Sequence, residues 1–558
     1  MTEPIRRLPD PIVTSDGKLV GASALTPQAM KTRGAIAVPS TKVIPVILVP
    51  GIMGTNLRAH TRKEGMQNQA LRPGEPAWRP PNGTVAGLRE ATAWKARDPV
   101  LRQKILDGDT LEVDDSGLIQ IPDDDSQGSQ AAHMRTRWWG EVHWASYGPL
   151  LCELQRNLNT TFENSLILRK REPNDHWESV MEYDREKWNA ADMPALSTAE
   201  LETFAQYQYP VYACGYNWIR SNELSAERLK DRVLEIIDFW TKRKFDCKQV
   251  ILVSHSMGGL VSRACAKKIP DKIVGIVHGV MPALGAPLAY RRIASGTEKS
   301  SPSADFIGRT KMEKFADIAG DTSMKTTPAM ATACGALELL PNHLYPSPWL
   351  FASVRKKDGT IKDVSPLFYT NVYDMYRDFS VWYRVIDPEL ADPAGKYDQD
   401  KGGVKAAIVR AIDQAEKFHT KILDTYYHPN TYAYFGADKE QLSYGVMRWI
   451  TDNQDLLAQQ TSQLVCVGQA ISDESFVGGR TMVMPQNFPG AGTTYWFMPG
   501  EQDAPGDGTV PEQSGDGPRG KAKHVFHATG FSHQDSYADK HMLKLTFHLI
   551  ARLSQEAK

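Results

Sequence analysis

Twelve residues constrain this chain more than any other stretch: Val250-Ile-Leu-Val-Ser-His-Ser-Met-Gly-Gly-Leu-Val261. The apolar run Val250–Val253 predicts a strand buried on both faces, and Gly258–Lys268 predicts a helix, with a sharp turn between them at Ser256. A serine hydroxyl is a useful nucleophile only where it stands clear of the sheet, with small neighbours on the turn and fixed N–H donors beside it. Ser254 and Gly258, two positions to either side, are small. The pattern is S-x-S-x-G and not G-x-S-x-G, so a hydroxymethyl group replaces a hydrogen at the first small position. Ser256 is the candidate nucleophile; the plainer alternative is an ordinary strand-to-helix turn.

The surrounding pattern gives this turn a context. Val43–Val49 and Val211–Tyr216 read as strands, Ser225–Trp240 as a helix with Leu229, Val233, Ile236, Ile237 and Trp240 on one face, and Gln249–Val253 and Lys272–Val280 as further strands. This alternation requires right-handed crossovers and predicts a mainly parallel α/β sheet with helices on both faces. Gln463–Gln469 is expected as the last strand and His541–Ser554 as the closing helix. Two stretches are too long to be loops. The expected organisation is a 1–39 extension, core segments at about 40–58, 138–285 and 463–558, a first insertion at 59–137 and a largely helical cap at 286–462. Within the cap, Ala329–Leu340 and Val404–Tyr426 have helical spacing, the second as a helix packed on the core in preference to a mobile lid.

Composition narrows the function classes. Among 558 residues, 65 Lys and Arg oppose 66 Asp and Glu, which removes the electrostatic footprint of a nucleic-acid binder. No run approaches the ~20 apolar residues needed to span a bilayer. The first twenty residues place Pro9, Asp10, Pro11 and Asp16 where a secretory signal needs an apolar stretch, so the general secretion route is disfavoured. Cys152, Cys214, Cys247, Cys265, Cys334 and Cys466 form no C-x-x-C pair and read as reduced thiols; no metal site is expected. Asp123–Asp125 reads as a solvated turn, because Ser-Gln-Gly-Ser does not continue a calcium-ligand pattern.

Three further signals complete a site. Val49-Pro-Gly-Ile-Met-Gly54 follows the first core strand, where a loop supplies one of two backbone N–H groups for an oxyanion, the other coming from the residue after the nucleophile. The candidate donors are Ile52 and Met257, with Gly51 and Gly54 allowing close approach and positive φ. Gly506-Asp-Gly-Thr-Val-Pro511 puts Asp507 on a tight turn, with Asp503 a weaker candidate for the same role. His533, in a loop before the final helix, completes the order serine, acid, histidine; His541 and His548 belong to that helix, and His524 and His527 to a strand. A second catalytic role for His255 is disfavoured, since residues beside an elbow pack against the sheet. Arg137-Trp-Trp-Gly-Glu-Val-His-Trp144 reads as aromatic packing in preference to an acyl pocket.

Pro50-Gly-Ile-Met-Gly54, Ser254-His-Ser-Met-Gly-Gly259, Gly506-Asp-Gly-Thr-Val510 and His533 resemble the motif set of lecithin:cholesterol acyltransferase-like and GPI-inositol-deacylase-like α/β-hydrolases. Leu339-Leu-Pro-Asn342 resembles a cap feature of that group. Tyr212-Ala-Cys-Gly-Tyr-Asn-Trp218 and Gly279-Val-Met-Pro-Ala-Leu-Gly-Ala-Pro287 resemble type VI secretion lipase effectors with a GPI-inositol-deacylase-like core. The resemblance spans the core segments, about half the chain. It implies an α/β-hydrolase fold and a phospholipase made in the bacterial cytoplasm and delivered to a rival cell's periplasm. There it would touch the membrane peripherally, hydrolyse glycerophospholipid esters without metal or organic cofactor, and be paired with a cognate immunity protein. The alternatives on the same residues are an acyltransferase, a soluble carboxylesterase, or an inactive hydrolase fold used as a binding module.

Overall fold

In the computed structural model, Val46–Val49 (β1) is buried at every position, as a strand covered on both faces must be. Five more strands join it: Val211–Ala213 (β2), Val250–His255 (β3), Ile273–Gly279 (β4), Thr431–Gly436 (β5) and His524–Ala528 (β6). Their order is β2-β1-β3-β4-β5-β6, and every neighbouring pair is parallel. The chain leaves β1 for one edge of the sheet and returns on its other side as β3. That reversal is a topological switch point, where the connections leaving two adjacent carboxyl ends diverge and open a crevice.

The residues described are 40–61, 66–80, 82, 84–122, 129–165, 170–301, 306–469 and 478–558, with four short strands before residue 40. Asp123–Asp125 and the rest of the expected 1–39 extension lie outside them.

Helices cover the sheet on both faces: Trp144–Leu158 (α1), Asn222–Lys242 (α2), Gly258–Lys268 (α3) and Lys540–Ser554 (α4). Alternate strand residues divide between two apolar bodies. Ile47, Val49 and Leu252 pack with Leu229, Val233, Ile236 and Trp240 of α2 and Leu260 and Val261 of α3. Val46, Leu48, Ile251 and Val253 pack with Leu150, Leu151 and Leu154 of α1 and Leu545, Leu549, Ile550 and Leu553 of α4. Both α2 and α4 start on capped turns, Ser221 Oγ accepting from the Glu223 N–H and the Asp539 carboxylate from the His541 and Met542 N–H groups.

Two placements differ from the sequence expectation. Val465–Gln469 is not a core strand but the edge of a second six-stranded sheet, ordered Ile361–Pro366, Leu350–Arg355, Met447–Thr451, Thr494–Pro499, Arg480–Val483, Val465–Gln469. The core position is taken by β5, from within the stretch assigned to a helical cap, and that stretch also contributes three strands to the second sheet. A local apolar run predicts a strand without naming its sheet; neighbours decide that. Gly403–Lys417 buries Ile408, Ala411, Ile412 and Ala415 in the same apolar body as α2 and α3, the packed-on-core arrangement. The Trp-rich segment is also packing: the Trp139 Nε1–H donates to the Val211 carbonyl, and the Arg232 guanidinium lies 3.8 Å from the Trp138 ring centre. All six cysteines are free. Among the described residues no helix is long and apolar enough to cross a membrane.

Candidate active site

Every part of the site leaves the carboxyl edge of the core sheet. Ser254 pairs with Val49, so the turn after β3 lies beside the Pro50–Gly54 loop after β1. Ser256 has φ +53°, a left-handed conformation that is costly for a residue with a Cβ and characteristic of a strained functional turn. Gly258 is required by the same crowding, because a Cβ there would lie 2.4 Å from the carbonyl oxygens of Val49 and Pro50. Gly51 allows a similar approach, its hypothetical Cβ falling 3.0 Å from the Ser256 Cβ. Positive φ in this loop belongs to Met53, at +63°, and not to Gly51 or Gly54.

The hydroxymethyl group of Ser254 does not obstruct the turn. Its Oγ is hydrogen-bonded across to His278 Nδ1 on β4 at 2.7 Å, away from the elbow, and burial pushes the His278 imidazole down to about 3, keeping the ring neutral.

Three side chains from distant segments meet here. Ser256 Oγ lies 2.9 Å from His533 Nε2, and His533 Nδ1 lies 2.8 Å from Asp507 Oδ2. Asp507 is 1% exposed, and its Oδ1 accepts from the Thr509 and Val510 N–H groups at 3.0 and 2.7 Å. A buried acceptor of this kind fixes the Nδ1–H tautomer of His533 and turns the Nε2 lone pair toward the serine hydroxyl. The acid and histidine loops are clasped a second time, the His533 N–H donating to the Asp507 carbonyl at 2.7 Å.

The turn carrying Asp507 is positioned from β5. Asp438–Ser443, directly after that strand, pairs antiparallel with Ala504–Gly506. Asp503 serves elsewhere: its carboxylate accepts from the Gly445 N–H and from Arg448 Nη1. His541 meets the Tyr183 hydroxyl, and His524 and His527 stay in β6. Of the two expected oxyanion donors, Met257 opens α3 directly after Ser256 and Ile52 follows Gly51; among the described residues neither amide has an intramolecular acceptor. The Pro50–Gly54 loop that carries Ile52 is held by the Tyr216 hydroxyl donating to the Pro50 carbonyl and the Trp78 Nε1–H donating to the Met53 carbonyl, both at 2.8 Å.

A family model described as a PGAP1-like alpha/beta domain matches residues 219–299, which run from the start of α2 through the Ser256 turn and α3 to just beyond β4. Its core has the α/β-hydrolase fold. A chain in the crystal structure of the Tle4–Tli4 complex is 26% identical to this one with a TM-score of 0.72, over 92% of this chain and 99% of that one. No curated protein sequence matches. The two matches bear out the resemblance to type VI secretion lipase effectors with a PGAP1-like core, and with it a hydrolase-family domain.

One group near this hydrolase site was not legible in the sequence. Tyr147, in the first turn of α1, is buried against Gly54, where a Cβ would lie 2.7 Å from its ring, and its hydroxyl reaches both Gly51 and His255. No motif marks it; only its place after the Trp-rich segment distinguishes it.

Proposed function

We propose that the protein is a serine lipase that hydrolyses acyl esters of membrane glycerophospholipids. Ser256 Oγ attacks the ester carbonyl while His533 Nε2 takes the hydroxyl proton, and Asp507 stabilises the imidazolium that forms. The Ile52 and Met257 N–H groups receive the oxyanion. Collapse returns the proton to the departing lysolipid oxygen and leaves an acyl-serine. Water, deprotonated by the same imidazole, then releases the fatty acid. The observation that carries this reading is the unbroken line Ser256–His533–Asp507, with a strained serine at one end and a buried, doubly amide-bonded carboxylate at the other. No step calls for a metal or an organic cofactor.

The likeness to the Tle4–Tli4 structure supports the biological setting: a type VI secretion effector acting in the target-cell periplasm, touching the membrane peripherally and neutralised by a cognate immunity protein. The test is incubation of the protein and its Ser256→Ala variant with phosphatidylethanolamine and phosphatidylglycerol vesicles. The expected result is fatty acid and lysolipid from the native chain alone; equal release from both would overturn the mechanism. A fluorophosphonate probe separates the enzyme from an inactive fold, since it should label Ser256.

A further inference from the structure

A chain of hydrogen bonds behind the nucleophile ties the two halves of the site together. The Gly51 N–H donates to the Tyr147 Oη at 2.9 Å, and the Tyr147 O–H faces His255 Nδ1 at 2.9 Å. On the far side of the same ring, His255 Nε2 lies 2.9 Å from the carbonyl oxygen of His533. Gly51 precedes the Ile52 amide, and His533 is the base.

Donor counting leaves one arrangement. The His533 carbonyl only accepts, so His255 Nε2 carries a proton. Tyr147 already accepts from Gly51, so its own proton goes to His255 Nδ1, which must be a lone pair. His255 is then neutral. A cation would sit buried, its ring centre 5.1 Å from that of His533, and burial pushes His255 down to about 3. The glycines of the oxyanion loop fit the same frame: a Cβ at Gly51 would lie 3.0 Å from His255 Nδ1 and one at Gly54 2.9 Å from the Tyr147 hydroxyl.

We propose that Tyr147 and His255 are positioning residues that hold the oxyanion loop and the backbone of His533 at a fixed separation across Ser256; this rests on the hydrolytic role proposed for that site. Both halves must be in register when the tetrahedral intermediate forms, and a misplacement of about 1 Å costs roughly 100-fold in rate. Neither side chain touches the reacting atoms, so their removal acts on turnover and leaves substrate binding intact.

The experiment compares Tyr147→Phe, His255→Asn and the double variant on a defined phospholipid. The expected result is a kcat loss of about 10-fold or more in each single variant, KM within about threefold of native, and a double variant no worse than about threefold below the poorer single one. A Tyr147→Phe variant within twofold of native kcat, or losses that multiply in the double variant, would overturn the proposal. A second measurement is independent of turnover and of the folding of any variant. In the native protein labelled with nitrogen-15 at histidine, the His255 resonances should report a neutral ring protonated at Nε2 throughout pH 5 to 8. A proton on Nδ1, or a cation at pH 6, would sink the frame. A native protein that turns over no ester overturns the hydrolase reading instead, while the imidazole spectrum decides the frame by itself.

Discussion

The two six-stranded sheets of this chain follow opposite plans. The core sheet is parallel throughout, and every residue of β1, β2, β3 and β4 is buried. In the second sheet only Leu350–Arg355 with Met447–Thr451 is parallel, and the other pairings are antiparallel. The three strands at its Val465–Gln469 end leave a wet face, where Val465, Val467 and Trp496 are about half exposed. A parallel sheet returns each connection to the same side, so the loops that begin at its carboxyl edge converge from far apart in sequence. A mixed sheet scatters its loops to both ends. The chemistry therefore gathers on the first, and the second contributes attachment: Arg448, on one of its strands, holds the Asp503 carboxylate four residues from Asp507.

The comparison breaks if chemistry proves insensitive to the core edge. Ser256→Ala should lower phospholipid hydrolysis by roughly 10⁶-fold and Asp507→Asn by roughly 10⁴-fold, with thermal midpoints near the native value. Residual activity above a hundredth in either, measured by fatty-acid release, would remove these side chains from the reaction. Gly258→Ala comes next. Its methyl must displace the Val49 and Pro50 carbonyls, and the resulting shift of the elbow should reduce kcat by about 100-fold, whereas Gly359→Ala in the hairpin between Arg355 and Ile361 should leave kcat unaltered.

Acid should find the core before the attachment. Burial holds His255 and His278 at about 3 and His548 at about 4, all on core strands or α4, against ~6.5 in an unfolded chain. Between those values the unfolded chain takes up protons the native one refuses, so the contribution of these three groups to stability is complete above about pH 6.5 and declines as pH falls. In the inserted region His419, held at about 4 by burial, acts in the same direction, while Glu338, raised by burial to about 8, acts in the opposite one, its contribution growing as pH falls from about 8 to about 4.5. Near pH 5 the three core imidazoles by themselves account for a slope of about 4 kcal/mol per pH unit. A melting temperature unchanged from pH 7.5 to pH 5 would contradict these environments.

Smaller effects sharpen the contrast. Leu545→Ala in α4 should cost about 2–5 kcal/mol, because the residue is fully buried between helix and sheet. Val467→Thr on the wet face should stay within about 0.5 kcal/mol. Urea melts of the two variants measure the difference directly.

What the amino-acid sequence revealed follows the same division. The buried runs at Val46–Val49, Val250–Val253 and Ile273–Gly279, and the amphipathic spacing of α2 and α4, are strong local signals because parallel strands and their covering helices bury whole faces. The candidates Ser256, Asp507 and His533 came from the chain order the fold imposes, although each alone is an ordinary turn or loop residue. Thr431–Gly436 was hidden, since its aromatic alternation looks no different from that of the second sheet. Tyr147 was hidden for another reason: a hydroxyl joining a glycine amide to an imidazole leaves no periodic trace. The S-x-S-x-G departure also needed the fold, because only the neighbouring strand brings His278 to the Ser254 hydroxyl.

The short ladder between Asp438–Ser443 and Ala504–Gly506 closes the excursion 444–503 at its neck. Closure entropy grows only logarithmically with the length of such a bubble, so residues can be gained or lost there with little change in where the carboxylate lands. Counting along the chain is therefore a poor ruler for finding the acid in kindred proteins. The two-rung neck after the fifth strand is the better landmark.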